Sequence, residues 1–243
     1  MTQSLKTISA PLSVDVNRLN QQFSNAHPKS VLLWCLENMS EGMVQTTAFG
    51  TSGMVILDLL YGDLNPDVAV PVIFLDTLHH FAETHRLVAR AQERYDLDLK
   101  IYRPQGAQSR SEFARVHGDH LWEADINRFH TLTKVEPLQR AFSRLDVQSW
   151  ITGRRRDQST TRVHLPIFEQ DANGRIKINP LAGWTNRDVW KYIVDNQVPY
   201  NSLHDQGYGS IGDEPLTTPL MTGEHERDGR WRGLAKTECG IHV

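Results

Sequence analysis

Val70-Pro71-Val72-Ile73-Phe74-Leu75-Asp76-Thr77 is apolar without interruption until its last two residues. That is the pattern of a central parallel strand covered on both faces by helices. Residues 81–95 beyond it have helical character, and Leu97-Asp98-Leu99-Lys100-Ile101-Tyr102, followed by Pro104, reads as the next strand. On its N-terminal side, Met43-Val44-Gln45-Thr46-Thr47-Ala48 reads as a strand, 49–53 as a turn and Met54–Tyr61 as a helix. Helix 136–145 leads to a strand Gln148–Thr152 that stops at Gly153. Helix 185–196 opens with Thr185 and Asp188, the spacing of a capping box. Alternating strands and helices joined by short connections predict an α/β fold with a doubly wound, mostly parallel sheet. Three stretches follow: a helical 1–41 broken at Pro28, an α/β domain over 42–200, and an irregular Gly- and Pro-containing segment over 201–243.

Composition narrows the function class. With 26 Lys+Arg against 29 Asp+Glu, the formal charge of −3 disfavours a surface that coats nucleic acid. No run is long and apolar enough to span a membrane, and the first residues lack a secretory apolar segment, so a cytoplasmic protein is expected. Its two cysteines, Cys35 and Cys239, differ in character, which suits a reducing compartment better than a disulfide framework. Cys35 lies in the apolar run Val31–Leu36 and reads as a buried small hydrophobe. Cys239 sits in Glu238-Cys239-Gly240-Ile241-His242-Val243, a short mobile tail able to carry a thiol to a substrate held elsewhere.

In a doubly wound sheet, ligands bind outside the carboxyl ends of the strands. The segments predicted there are 46–52, 76–80 and 153–162. Thr46-Thr47-Ala48-Phe49-Gly50-Thr51-Ser52-Gly53 sets hydroxyls and glycines between a strand and a helix N-terminus, where free N–H groups favour an anion. Thr51 or Ser52 serving only as a helix cap is the simpler alternative. Gly153-Arg154-Arg155-Arg156-Asp157-Gln158-Ser159-Thr160-Thr161-Arg162 follows a buried strand and carries four arginines, whose forks suit phosphate or sulfate oxygens. A solvated charged face is the alternative there, as an exposed ion-paired loop is for Arg227 and Arg230. His79, His80 and His85 could suggest a metal, but adjacent side chains diverge, so a loop role or an adenine contact fits better.

Together these residues resemble the sulfonucleotide reductases, most closely the thioredoxin-dependent phosphoadenylyl sulfate (PAPS) reductases. The resemblance runs from about Gly42 to His242. It rests on the modified PP-loop Thr46–Gly53, Leu75-Asp76-Thr77, Lys134-Val135-Glu136-Pro137-Leu138, Gly153-x-Arg155-Arg156-x-Gln158-Ser159-x-x-Arg162, the stretch 199–212, and Glu238-Cys239-Gly240-Ile241-His242. It implies an adenine-nucleotide alpha-hydrolase-like (PP-loop) fold and attack of the Cys239 thiolate on the substrate's sulfur. It also implies an S-sulfonate intermediate, reduced thioredoxin as co-substrate and transient partner, and a homodimer. By position, Lys134, Arg155, Arg156, Gln158, Arg162, Arg227 and Arg230 would hold phosphosulfate and phosphate groups. Thr46, Thr47, Gly50, Thr51 and Asp76 would border the nucleotide, and His242 would add a donor or positive charge or anchor the tail. Adenylyl sulfate (APS) reductases of this family bind an iron–sulfur cluster through cysteines. Those positions fall here on about Phe129-His130, Asp213 and Leu216, so no such cluster and no other bound cofactor or metal is expected. Leu78 stands where a glycine often follows the Asp-Thr pair, and the PP-loop lacks the aspartate and double glycine of ATP-splitting relatives. A cluster-free APS reductase, a non-catalytic adenosine 3′,5′-bisphosphate-binding module and a PP-loop ATPase are the competing readings.

Overall fold

The structure, a computed structural model, describes residues 14–234, 236, 238 and 240–242. Its strands are β1 (Met43–Thr46), β2 (Val72–Leu75), β3 (Leu99–Tyr102), β4 (Ser149–Ile151), β5 (Phe168–Gln170) and β6 (Ile176–Ile178). Among the described residues they form one sheet in the order β3-β2-β1-β4-β6-β5. All neighbours pair parallel except β5, which lies antiparallel on β6 at the edge. The chain leaves β1 toward β2 and β3, then returns across to β4. Strand order therefore reverses between β1 and β4, which is where a doubly wound sheet opens a ligand crevice.

Side-chain alternation along the strands builds a layer on each face. Met43, Val72, Phe74 and Ile151 point into one core, whereas Val44, Ile73 and Trp150 point into the other. Residues of α1 (Val16–Gln22), α2 (Pro28–Asn38), α3 (Thr51–Leu57) and α4 (Ala82–Tyr95) fill the first. On α4 the buried Thr84, Leu87, Val88, Ala91 and Tyr95 recur at helical spacing, so a single stripe meets the sheet. Cys35 lies in this core, and burial pushes its thiol pKa up, as expected for an inert packing residue.

Three short helices, α5 (Arg110–His117), α6 (Leu121–Ala124) and α7 (Ile126–His130), close around a separate apolar cluster of Phe113, Trp122, Phe129, Leu216 and Trp231. After α7 the chain winds as a π-helical turn over Thr131–Val135 and continues as α8 (Glu136–Arg144), which covers the second face through Leu138, Ala141 and Phe142. α9 (Asn186–Asp195) returns to the first face, and Thr185 and Asp188 form the expected capping box. Each wholly buried aliphatic or aromatic side chain contributes about 1.5–3 kcal/mol, so these two layers hold most of the stabilising burial.

Several elements differ from the sequence expectation. The helix expected from Met54 already begins at Thr51, and from Asp58 to Leu64 it widens into a π-helix. The buried Asp58 carboxylate there accepts the hydroxyls of Tyr95 (2.8 Å) and Tyr192 (2.9 Å), pinning this segment to α4 and α9. β5 and β6 are additional strands. Among the described residues beyond 200 the backbone makes short 3₁₀ turns at Ser202–Gln206 and Glu214–Leu216 and isolated bridges from Asp213 to His80 and from Thr217 to Arg230.

Candidate active site

The turn after β1 is shaped by its own side chains. Thr47 Oγ1 accepts the Phe49 N–H (2.9 Å), and Gln45 Nε2 donates to the Gly53 carbonyl (3.0 Å) from inside the sheet. A Cβ on Gly53 would stand 2.2 Å from Thr47 Oγ1, so only glycine fits this packing. Gly50 caps α3 without any side-chain acceptor, which leaves first-turn N–H groups for an anion at the positive end of the helix dipole.

Across the switch point, the loop after β4 packs directly on this turn: a Cβ on Gly153 would lie 3.1 Å from the Gly53 nitrogen. The arginines of the loop part company. Arg154 faces the cleft, with Nη1 donating to Glu169 Oε1 (2.5 Å). Arg155 is wholly buried behind the wall, donating to Ser52 Oγ, Asp157 Oδ1 (2.9 Å) and Glu226 Oε2. It binds the PP-loop helix, its own loop and the C-terminal segment into one unit. Arg156 turns away and donates to the Leu165 carbonyl (2.8 Å). Arg162 meets Glu238 with both arms, Nε to Oε1 (2.7 Å) and Nη2 to Oε2 (2.6 Å), while Nη1 donates to Gln158.

The third wall comes from the π-helical turn and the C-terminal segment. Lys134 reaches Asp213, which is wholly buried and also accepts the Thr77 hydroxyl (2.7 Å). Burial alone would raise the Asp213 pKa, but Lys134, His80 and these hydrogen bonds hold it well below the usual carboxylate range. Arg230 and Arg227 lie over the Trp231 ring at 4.5 and 5.4 Å. A Cβ on Gly212 would come within 2.1 Å of the Arg230 guanidinium, so the chain passes close by only because residue 212 lacks a side chain.

The described tail residues are seated in this cleft. Ile241 packs on the Val44–Trp150 core, and the His242 ring stacks on Trp150 with centroids 5.6 Å apart and planes 9° from parallel. Burial first, then the charges of Arg154, Lys177, Arg162 and Arg227, push the His242 pKa well down. Stacked on Trp150, the ring anchors the tail. Cys239 lies outside the described residues.

Of the site residues expected from sequence, Thr46, Thr47, Gly50, Thr51, Lys134, Gln158, Arg162, Arg227, Arg230 and His242 line one cleft of about 230 Å³. Asp76, Arg155 and Arg156 stand outside its wall. Asp76 accepts the Leu78 N–H (3.1 Å) and the Arg103 Nε (2.8 Å), shaping the loop after β2, and Thr77 takes its place at the cleft.

The sequence profile of the phosphoadenosine phosphosulfate reductase domain matches residues 42–219. This chain belongs to that family.

Relatives bear either of two names. A phosphoadenosine phosphosulfate reductase of Emericella nidulans is 49% identical over 226 residues, covering 92% of this chain and 74% of the relative. An adenosine 5′-phosphosulfate reductase of Halalkalibacterium halodurans is 40% identical, covering 95% of this chain and 98% of the relative. In three dimensions the chain matches the crystal structure of a Candida auris PAPS reductase in a phosphate complex (TM-score 0.78, 42% identity), covering 86% of this chain and 100% of that one. A Candida glabrata FMN adenylyltransferase shares the fold alone, at 18% identity and a TM-score of 0.61.

Within this reductase fold, the four positions that correspond to cluster cysteines converge. His130 Nε2 stands 4.0 Å from Asp213 Oδ2, and Phe129 and Leu216 share the third apolar cluster. Phe129 and Leu216 carry no donor atom and none of the four offers a thiolate, so these residues do not fit an iron–sulfur cluster. Among the described residues, no group of three or more His, Cys, Asp or Glu could hold a metal, and no helix is long and apolar enough to cross a membrane. His79 sits between Phe113, Trp122 and Phe129, while His80 stacks on Phe74, so the two rings diverge.

Arg154, Thr77, Asp213, Glu226 and Glu238 also line the cleft without having been named as site residues, and so does His80, expected as a loop residue or an adenine contact. The signal for Arg154 was its place as the first arginine after the strand. The acids gave none, because they are chosen by partners in distant segments.

Proposed function

We propose that the protein reduces 3′-phosphoadenylyl sulfate to sulfite and adenosine 3′,5′-bisphosphate, with reduced thioredoxin as electron donor. One observation carries the reading: Lys134, Arg154, Arg162, Arg227 and Arg230 converge on a strand–helix anion turn at the sheet's switch point, with the residues flanking Cys239 seated beside them. Each charge-assisted hydrogen bond to a phosphate or sulfate oxygen contributes about 1.5–3 kcal/mol, enough in sum to offset desolvation of a polyanion.

In this reading the Cys239 thiolate attacks the sulfuryl sulfur. An S–S bond forms, the S–O bond to the phosphate breaks, and the nucleotide leaves with that electron pair. The wall cations offset charge gathering on the bridging oxygen. A thioredoxin thiolate then attacks Cys239 Sγ and expels sulfite, and the second thioredoxin thiol resolves the mixed disulfide. Two electrons pass from the dithiol to sulfur.

Cys239→Ser tests this. The variant is expected to bind adenosine 3′,5′-bisphosphate as wild type does and to release no sulfite, while wild-type Cys239 gains the mass of one SO₃ group when thioredoxin is withheld. Sulfite release from Cys239→Ser overturns the mechanism. The relatives named adenosine 5′-phosphosulfate reductase supply the second reading, a cluster-free enzyme acting on APS. Comparing sulfite release from the two nucleotides in one assay separates the readings.

A further inference from the structure

We infer that Asp213 is a positioning residue, holding the Lys134 ammonium at the cleft wall before any ligand arrives; this rests on the reading of Lys134 as a substrate-binding residue. Lys134 lies on the π-helical turn, a widening of the backbone that recurs at functional sites because it re-aims side chains. It is 8% exposed, and its long stem has no intrinsic reason to hold one direction. Asp213 gives it one. Its side chain takes the Lys134 ammonium on Oδ2 and the Thr77 hydroxyl on Oδ1.

The carboxylate itself cannot swing. Its backbone bridges to His80, the neighbouring Glu214 N–H donates to the His79 carbonyl (2.7 Å), and the Asp213 carbonyl accepts the Thr217 hydroxyl (2.8 Å). Asp213 therefore belongs to the same rigid frame as the end of β2. An ammonium carries three N–H donors, and this contact uses one, leaving the others for the cleft.

A buried lysine without a counter-charge would be driven to fold outward or shed its proton. With Asp213 in place, the amine is paired and oriented, so a substrate oxyanion meets a donor that does not have to reorganise. Asp213, 79 residues away in sequence, borders the cleft but is wholly buried, so it acts on substrate through the lysine.

The experiment follows Lys134 directly. Acetylation of its amine by acetic anhydride, mapped by mass spectrometry in the full chain without nucleotide, is expected to speed up about tenfold in Asp213→Asn. Affinity for adenosine 3′,5′-bisphosphate is expected to fall about tenfold in Asp213→Asn, and by almost nothing when Asp213→Asn is added to Lys134→Met. Should Asp213→Asn fail to fold, Thr77→Val loosens the carboxylate from its other side, with an expected loss of about threefold, again absent in the Lys134→Met background. Acetylation at the wild-type rate, or affinity losses that add in the double variants, overturns the inference. If wild-type protein fails to bind the bisphosphate, the functional reading falls, and the acetylation rate still decides the role of Asp213.

Discussion

The two sides of the cleft are held by different physics. The PP-loop side grows from β1 and α3; every residue of α3 is buried, and Met54, Val55, Ile56 and Leu57 lie in the first apolar core. The facing side, from 201 to the tail, is irregular and is fastened by charge: Lys134 to Asp213, Arg155 to Glu226, Arg162 to Glu238. Apolar burial is non-directional and largely indifferent to salt and ligands. Ion pairs of arginine and lysine are the same contacts a sulfonucleotide competes for. One wall is thus a fixed template, and the other can reorganise when an anion arrives.

Arg155 is where the two walls meet, and cutting it is the severest test of the contrast. With Arg155→Met, Ser52 loses its donor and Glu226, its side chain only 15% exposed, is left without the arginine. Burial already raises the Glu226 pKa, and Arg155 is the chief influence opposing that rise. Breaking a buried pair by removing one partner costs about 3–5 kcal/mol. A fall of that size in the unfolding free energy from urea titration is expected. A loss below about 1 kcal/mol would show the walls to be independent.

Arg154 and Arg156 sharpen the comparison within one loop. Arg154 lines the cleft, whereas Arg156 is engaged with the Leu165 carbonyl. Arg154→Ala is expected to weaken adenosine 3′,5′-bisphosphate binding by about tenfold or more, shrinking at high salt. Arg156→Ala should change it by less than about threefold. Equal losses from the two would return the loop to the simpler picture of a general positive field.

The charged wall should also be the acid-sensitive one. His130 is buried beside Lys134 and Asp213; burial, then the Lys134 charge, push its pKa down to about 3. The unfolded chain takes up a proton near pH 6.5 that the folded protein refuses, so stability is unaffected above that value and falls as pH drops toward 3. One such histidine adds a slope of up to ~1.4 kcal/mol per pH unit. Asp213, with its lowered pKa, gives up its contribution only at more acid pH, as the carboxylate is finally protonated. Urea midpoints between pH 7.5 and 4.5 are expected to fall less steeply in His130→Phe than in wild type. Parallel curves would exclude His130 as the source.

Much of the template wall was legible in the sequence because it is written in local patterns. The uninterrupted apolar run of β2 and the hydroxyl-glycine turn after β1 each carry their meaning within eight residues. β5 and β6 escaped because three residues are too few for alternation to register, although Asn173-Gly174 between them is a hairpin signal. The direction taken by each arginine after Gly153 was not legible, since a loop has no fixed side-chain period. Nor were Asp213, Glu226 and Glu238 as partners, for each is selected by a cation 71 to 79 residues away.

Leu78 offers the mildest and most discriminating test of how rigid the template wall is. The family resemblance implies a glycine at this position, and the leucine here has a φ of 65°, in the left-handed region. Holding a leucine there costs about 1–2 kcal/mol. Its side chain packs at the edge of the third apolar cluster, and that partial burial offsets roughly 1 kcal/mol. Leu78→Gly relieves the backbone, loses the packing and adds about 0.5–1 kcal/mol of unfolded-state entropy, so a net change within about 1 kcal/mol is expected. Leu78→Ala loses the packing and keeps the strain. Glycine should therefore prove more stable than alanine at this position by urea midpoint, the reverse of the ordinary ranking. If alanine is as stable or more so, the left-handed turn after Asp76-Thr77 is not imposed by the fold, and the loop that brings Thr77 to Asp213 is softer than its hydrogen bonds suggest.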